Sequence, residues 1–228
     1  MNRLGWTTLL LACLAACLVS ACVRISDGVP VPGEGADTTS APSSPRSTEA
    51  APAAPGVMPT TRAPIPPNTV TCSPEIKPPV TMTAQVADPH APKITLAILD
   101  GWSSSTGSGD VAARLDGPNG MSATVTIAAT QAEPAAAFTE YADRLMAESA
   151  VSSVSVIPGR LCGYSGQKLM GVWSDIPQNA VEFADRIVHV WTNARNYLVA
   201  VHVQAPTETA GFDAASSLLT DDFEIGIP

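Results

Sequence analysis

The chain has 228 residues and a formal net charge of −9, from 12 Lys/Arg against 21 Asp/Glu. Thirteen of its 21 prolines fall between Cys22 and Pro79, while from Val80 onward 16 acidic residues face 7 basic ones. An acidic C-terminal part without a basic patch cannot make the clustered phosphate contacts that nucleic acid demands, and that class of partner is excluded.

Met1–Gly5 carries a single charge, Arg3, and Trp6–Val19 is almost continuously apolar. A basic start, an apolar run and small residues before a cut describe a secretory signal. The run ends Leu18-Val19-Ser20-Ala21-Cys22, then turns polar at Arg24, Ser26 and Asp27. A Cys directly after small residues is the lipoprotein form of that signal. Its thiol takes diacylglycerol and the leader, residues 1–21, is removed. Cys17, after Leu14-Ala15-Ala16, satisfies the same rule, but cleavage there would leave Leu18–Ala21 apolar on the mature end, so Cys22 is favoured. The run is short of the ~20 apolar residues of a membrane-spanning helix. The expected location is the extracytoplasmic face of the cell membrane, held by a lipid.

Residues 22–79 read as a Pro/Ser/Thr/Ala-rich disordered tether, with no helical or strand period and little apolar surface to offset the entropy of ordering. Cys13 and Cys17 leave with the leader and Cys22 is lipidated. Cys72 and Cys162 then remain in an oxidising compartment, where a disulfide is expected over a metal site or a nucleophile.

Residues 80–228 read as one α+β domain. Ile94–Leu99 is a strand that closes on Asp100-Gly101-Trp102, and Ser103–Asp110 reads as a flexible polar loop. Val111–Leu115 and Ser122–Ala128 form a hairpin around Asp116–Gly120. Pro134 opens a helix to Ser149, with Phe138, Tyr141, Ala142, Leu145 and Met146 on one stripe. Val151–Ile157 and Gln167–Trp173 are strands around the turn-rich Gly159–Gly166. Val181–Thr192 and Tyr197–Gln204 form the strongest hairpin, joined by Asn193–Asn196. A helix over Glu208–Leu219 and a strand over Phe223–Ile227 complete the domain. Strand runs with helices between hairpins predict a mainly antiparallel sheet with helices packed on it.

A lipobox Cys, a Pro/Ser/Thr linker and this order of elements resemble the actinobacterial LpqN/LpqT-type lipoproteins. The carrying residues are Asp100-Gly101-Trp102, Gly166-Gln167-Lys168-Leu169 and the terminal Asp222-Phe223-Glu224-Ile225. The resemblance implies a Mog1/PsbP-like α/β/α sandwich and a non-enzymatic accessory role at the cell envelope, with protein or acyl-lipid partners. It supplies no catalytic residues, and the cysteine pair departs from its simple pattern.

The chain has no H-E-x-x-H, C-x-x-C, EF-hand, P-loop or G-x-G-x-x-G motif, and no cofactor is expected. Gly163-Tyr164-Ser165-Gly166 brings its second Gly one residue too early for a nucleophile elbow. A four-residue hairpin loop would set Trp191 opposite Leu198, His189 opposite Ala200 and Ile187 opposite His202. Asp185, His189 and His202 then share a face with the two His as diagonal neighbours, which would suit an exported hydrolase or metal-dependent enzyme. The ordinary alternative is that these residues margin a helix-covered core. His90, in Asp88-Pro89-His90-Ala91-Pro92, reads as solvated. Trp102, Tyr164, Trp173 and Trp191 are a candidate ligand groove, centred on Trp102 and the Ser103–Asp110 loop. The reading that results is a lipid-anchored binding module, with the enzyme as its competitor.

Overall fold

A computed structural model describes residues 54–176 and 179–228. The expected leader, both candidate lipidation cysteines (Cys17 and Cys22) and residues 22–53 of the expected tether lie outside the described residues. Among the described residues eleven strands and two α-helices follow in chain order. They are β1 Thr69–Cys72, β2 Thr81–Ala84, β3 Lys93–Ala97, β4 Ser103–Thr106, β5 Val111–Asp116, β6 Ser122–Thr130, α1 Pro134–Ala147, β7 Val151–Pro158, β8 Ser165–Ser174, β9 Val181–Trp191, β10 Asn196–Pro206, α2 Phe212–Leu219 and β11 Glu224–Ile227. The fold is α+β, as expected.

Every strand pairing is antiparallel. Seven strands in the order β4-β5-β6-β10-β9-β8-β7 make a large sheet, and β1-β11-β3-β2 make a small one. Side chains alternate across each strand, so each face of the large sheet has its own cover. On one face Leu115, Val125, Ile127, Val199, Val201 and Val203 pack with Ile94, Leu96 and Ile225 of the small sheet and with Phe212 and Leu219 of α2. On the other, Leu169, Phe183, Ile187, Leu198 and Ala200 pack against Phe138 and Leu145 of α1. α1 starts at Pro134, whose missing N–H costs nothing in a first turn.

The elements differ from the sequence reading in instructive places. The expected tether is not free to its end. Thr69–Cys72 pairs with β11, and the chain from Pro55 to Ile65 lies against the large sheet. Ser103–Thr106 is not a loop but a fully exposed edge strand on β5. Polar edge strands bury nothing and so carry no hydrophobic alternation, which is also how an edge avoids further pairing. Met146 is largely exposed, so the buried stripe of α1 ends at Leu145. α2 starts only at Phe212, after Gly211 in a left-handed conformation (φ 87°).

Cys72 and Cys162 are bridged. The bond joins the end of β1 in the small sheet to the turn between β7 and β8, tying the two sheets together at one edge.

Candidate functional site

α1 lies over β7, β8 and β9 and leaves the same sheet face bare over β5, β6 and the near half of β10. The uncovered floor is a groove of about 730 Å³. Arg114 of β5, Thr124, Thr126 and Ala128 of β6, and His202 and Gln204 of β10 form its base. Tyr141, Arg144 and Glu148 of the α1 side and Trp173 of β8 form its wall. The alternation of β6 creates this floor: Ala123, Val125 and Ile127 face the main core, which leaves the threonines on the open face.

Within the groove the hairpin sets Asp185 directly opposite His202. His202 Nδ1 lies 2.5 Å from Asp185 Oδ1, and Nε2 lies 3.1 Å from Gln204 Oε1. Asp185 Oδ1 and Gln204 Oε1 can both accept, and a ring that donates from both nitrogens satisfies the two contacts together. Burial alone would pull its pKa down, but the hydrogen bond and charge of Asp185 outweigh burial and raise it above the ordinary histidine value. The Asp185 side chain is wholly inaccessible; burial raises its pKa, with His202 and then the nearby Tyr141 hydroxyl acting against that rise, and its Oδ2 makes no hydrogen bond of good geometry among the described residues. Burial, followed by the charge of Asp185, pushes the Tyr141 phenol well above its usual value. Trp173 stacks on Phe183, at 4.6 Å between ring centroids, and on His202, at 5.4 Å, and Phe183 and His202 are themselves 6.0 Å apart, so the three rings form one cluster. The imidazole thus lies against an aromatic ring at the groove wall.

This geometry revises the hairpin register. Thr192 N–H donates to the Arg195 carbonyl, so Asn193 and Ala194 alone make the turn, with Asn193 at φ 67°. Pairing shifts by two residues: Trp191 faces Asn196, His189 faces Leu198, and Asp185 faces His202. An even shift keeps Asp185, His189 and His202 on one face. It separates the histidines by four positions, about 13 Å along the strands, so they are not diagonal neighbours. His189 Nε2 lies 3.0 Å from the Ala132 carbonyl, and burial holds its pKa below the usual value, which keeps it neutral. Among the described residues no group of three or more His, Cys, Asp or Glu side chains could hold a metal ion. His202, with both nitrogens engaged, has no free nitrogen with which to take a proton from a nucleophile.

The four aromatic residues proposed as one groove do not converge. Trp102 is buried in the main core, on the far side of the large sheet, and Gly117 makes room for it: a Cβ there would lie 2.4 Å from the indole. The expected Trp102 centre of the groove is therefore wrong, and the segment after it is the β4 edge. Trp173 belongs to the groove beside α1. Tyr164 and Trp191 line a second cavity of about 360 Å³, roofed by Pro59 and Ile65 and floored also by Ser165 and His189. Ser165 is buried, with its hydroxyl committed to the backbone of Met58. His90 is exposed. Sequence reasoning missed Arg114, Thr124, Thr126 and Gln204. Period-two alternation on β6 marks the outward threonines, but nothing local says that α1 stops short of them.

No protein-family model and no curated protein matches the chain. Among solved structures it is similar to LpqN of Mycobacterium tuberculosis, described as involved in cell envelope biogenesis, with 17% sequence identity and a TM-score of 0.50. The match covers 65% of this chain and 91% of that one. The chain thus has an LpqN-like fold.

Proposed function

We propose that the protein is an extracytoplasmic lipoprotein, anchored through Cys22, that serves as a non-enzymatic accessory module at the cell envelope. Its groove beside α1 binds an envelope protein or an acyl lipid. The observation that carries this reading is the uncovered third of the large sheet, where a built wall of Tyr141 and Trp173 meets a floor of hydroxyls and charges. The LpqN-like fold adds support for an envelope role, and the apolar leader ending at Cys22 supports the anchor. Among the described residues no helix is long and apolar enough to cross a membrane. The competing hydrolase reading gains from the Asp185–His202 pair. It loses from the distance to His189 and from the engagement of both His202 nitrogens.

The test is affinity capture of the full chain from solubilised membranes, with lipid and protein mass spectrometry on one eluate. A groove-filling Thr126→Trp variant is the control. A species enriched with the native chain and lost with Thr126→Trp identifies the ligand, and its chemistry decides between lipid and protein. Equal recovery of every species by both chains would end the groove reading. Cys22→Ala should move the protein out of the membrane fraction; if it stays, the anchor is elsewhere.

A further inference from the structure

A different part of the molecule carries an inference independent of the groove beside α1. The segment Pro55–Ile65 crosses the start of β8 and the tip of the β9–β10 hairpin, and the domain holds it by its main chain. Gly166 N–H donates to the Gly56 carbonyl at 3.1 Å. Met58 N–H donates to Ser165 Oγ at 2.9 Å, and that hydroxyl donates back to the Met58 carbonyl at 3.1 Å. Gln167 Nε2 donates to the Pro55 carbonyl at 2.8 Å. At the far end the Asn193 amide makes a reciprocal pair with Ile65, each contact 2.8 Å. Between these clamps the Arg62 guanidinium lies over the Trp191 ring at 5.9 Å, and Arg62 pairs with Glu133.

Ser165 and Gln167 are each 5% exposed, so these are buried polar groups whose partners come from a passing chain. This is how extended peptides are recognised: main-chain groups are read by fixed donors and acceptors, and side chains only have to fit. The segment's sequence matches what the seat allows. Pro55, Pro59 and Pro64 fall where no N–H is used, while Met58 and Ile65 supply the donors. Gly56 stands at φ 71°, where a Cβ would come within 1.9 Å of the Gly166 carbonyl. The seat therefore takes a segment that turns over Ala54–Val57, with Gly56 at the left-handed position, and that runs on to a non-proline donor at Met58.

We infer that this seat is a peptide-recognition site that the chain's own segment fills in cis and that the same segment of a second copy fills in trans. The second copy is the occupant because the only sequence the seat is seen to fit is this one. Exchange requires only that the turn at Pro67-Asn68 open, since the seated segment ends just before it. The tethered segment competes at an effective concentration in the millimolar range, so the native chain keeps its own segment until copies are concentrated.

Two complementary full-length variants test this. Gly56→Ala spoils the segment and leaves the seat intact, and Ser165→Ala/Asn193→Ala spoils the seat and leaves the segment intact. Mixed and measured by native mass spectrometry, they should form a one-to-one pair that neither forms alone. A synthetic peptide of residues 54–66 should bind the Gly56→Ala chain and bind the native chain roughly tenfold or more weakly. If Gly56→Ala loses its circular dichroism signature, Met58→Pro, which removes only the donor to Ser165, replaces it. A folded variant that binds neither the peptide nor its complement overturns the inference. Peptide binding without the mixed pair overturns the second copy as the occupant.

Discussion

Replacing both Cys72 and Cys162 with alanine should cost most of what the bridge contributes, and the structure sets the size. The bond closes a loop of 90 residues in sequence separation. Chain entropy gives about 4.6 kcal/mol for a loop of that length at 25 °C, and native bridges generally deliver about 2–5 kcal/mol. For a domain of this size 1 kcal/mol corresponds to roughly 2–4 °C in Tm, so a fall of about 5–15 °C is expected. The location argues for the full effect. β1 is a four-residue strand held on one side only, by β11, and Cys162 stands in a left-handed turn conformation (φ 47°) between β7 and β8. Besides the bond, the Tyr164 hydroxyl donating to Thr71 Oγ1 at 2.7 Å fastens the same edge, and a single part-buried hydrogen bond is worth less than the crosslink. Urea denaturation of native and Cys72→Ala/Cys162→Ala chains checks the magnitude, and the native protein under reductant should match the variant. The urea m-value should rise, because an uncrosslinked chain exposes more surface on unfolding. A Tm loss below about 2 °C would refute the reasoning: strand pairing and the common core would then be closing the loop unaided.

Two further predictions concern buried charges. The Arg186 side chain is 3% exposed and is held by Asp222 Oδ1 at 3.1 Å and the Arg160 carbonyl at 3.3 Å, so Asp222→Ala leaves a buried cation with one neutral partner. Because Asp222 itself is half-exposed, the loss should be about 1–3 kcal/mol by urea denaturation, short of a fully buried pair; no measurable loss would mean that water already solvates the guanidinium. For His202 the folded pKa is raised, so its charged form adds stability that is fully present below pH 6.5 and is lost as pH rises through the folded value. The stability difference between native protein and His202→Gln should therefore be largest near pH 5.5 and shrink in alkaline buffer, read from denaturation midpoints across that window. A difference that grows with pH would mean that the Asp185 contact does not hold the imidazolium.

How far a sequence reveals such a site depends on which quantity is asked for. Faces are cheap to read, because side chains alternate with a period of two and any even error in register leaves them unchanged. Asp185, His189 and His202 could thus be placed on one face from a wrong loop length, and they do share it. Neighbours are not cheap. Whether the hairpin turns on two residues or four rests on Asn193 accepting a left-handed conformation, which asparagine permits but does not dictate. That single backbone choice decides whether His202 meets His189 or Asp185, and with it whether the face suggests a metal site or a buried ion pair. Composition misleads in a related way at Thr69–Cys72 and Ser103–Thr106. A strand at a sheet edge needs hydrogen-bonding partners more than apolar side chains, so it resembles linker until its partner is known. Trp102 fails for the opposite reason. A tryptophan after a turn looks available, but Gly117, fifteen residues on, vacates the space that buries it. The seat for Pro55–Ile65 combines all three problems: a segment read as linker, clamps distributed over Ser165, Gln167 and Asn193, and a glycine whose role depends on a carbonyl more than a hundred residues away. Local pattern carries the faces of the large sheet, while the pairings that make the sites here, His202 with Gln204 apart, join residues distant in sequence.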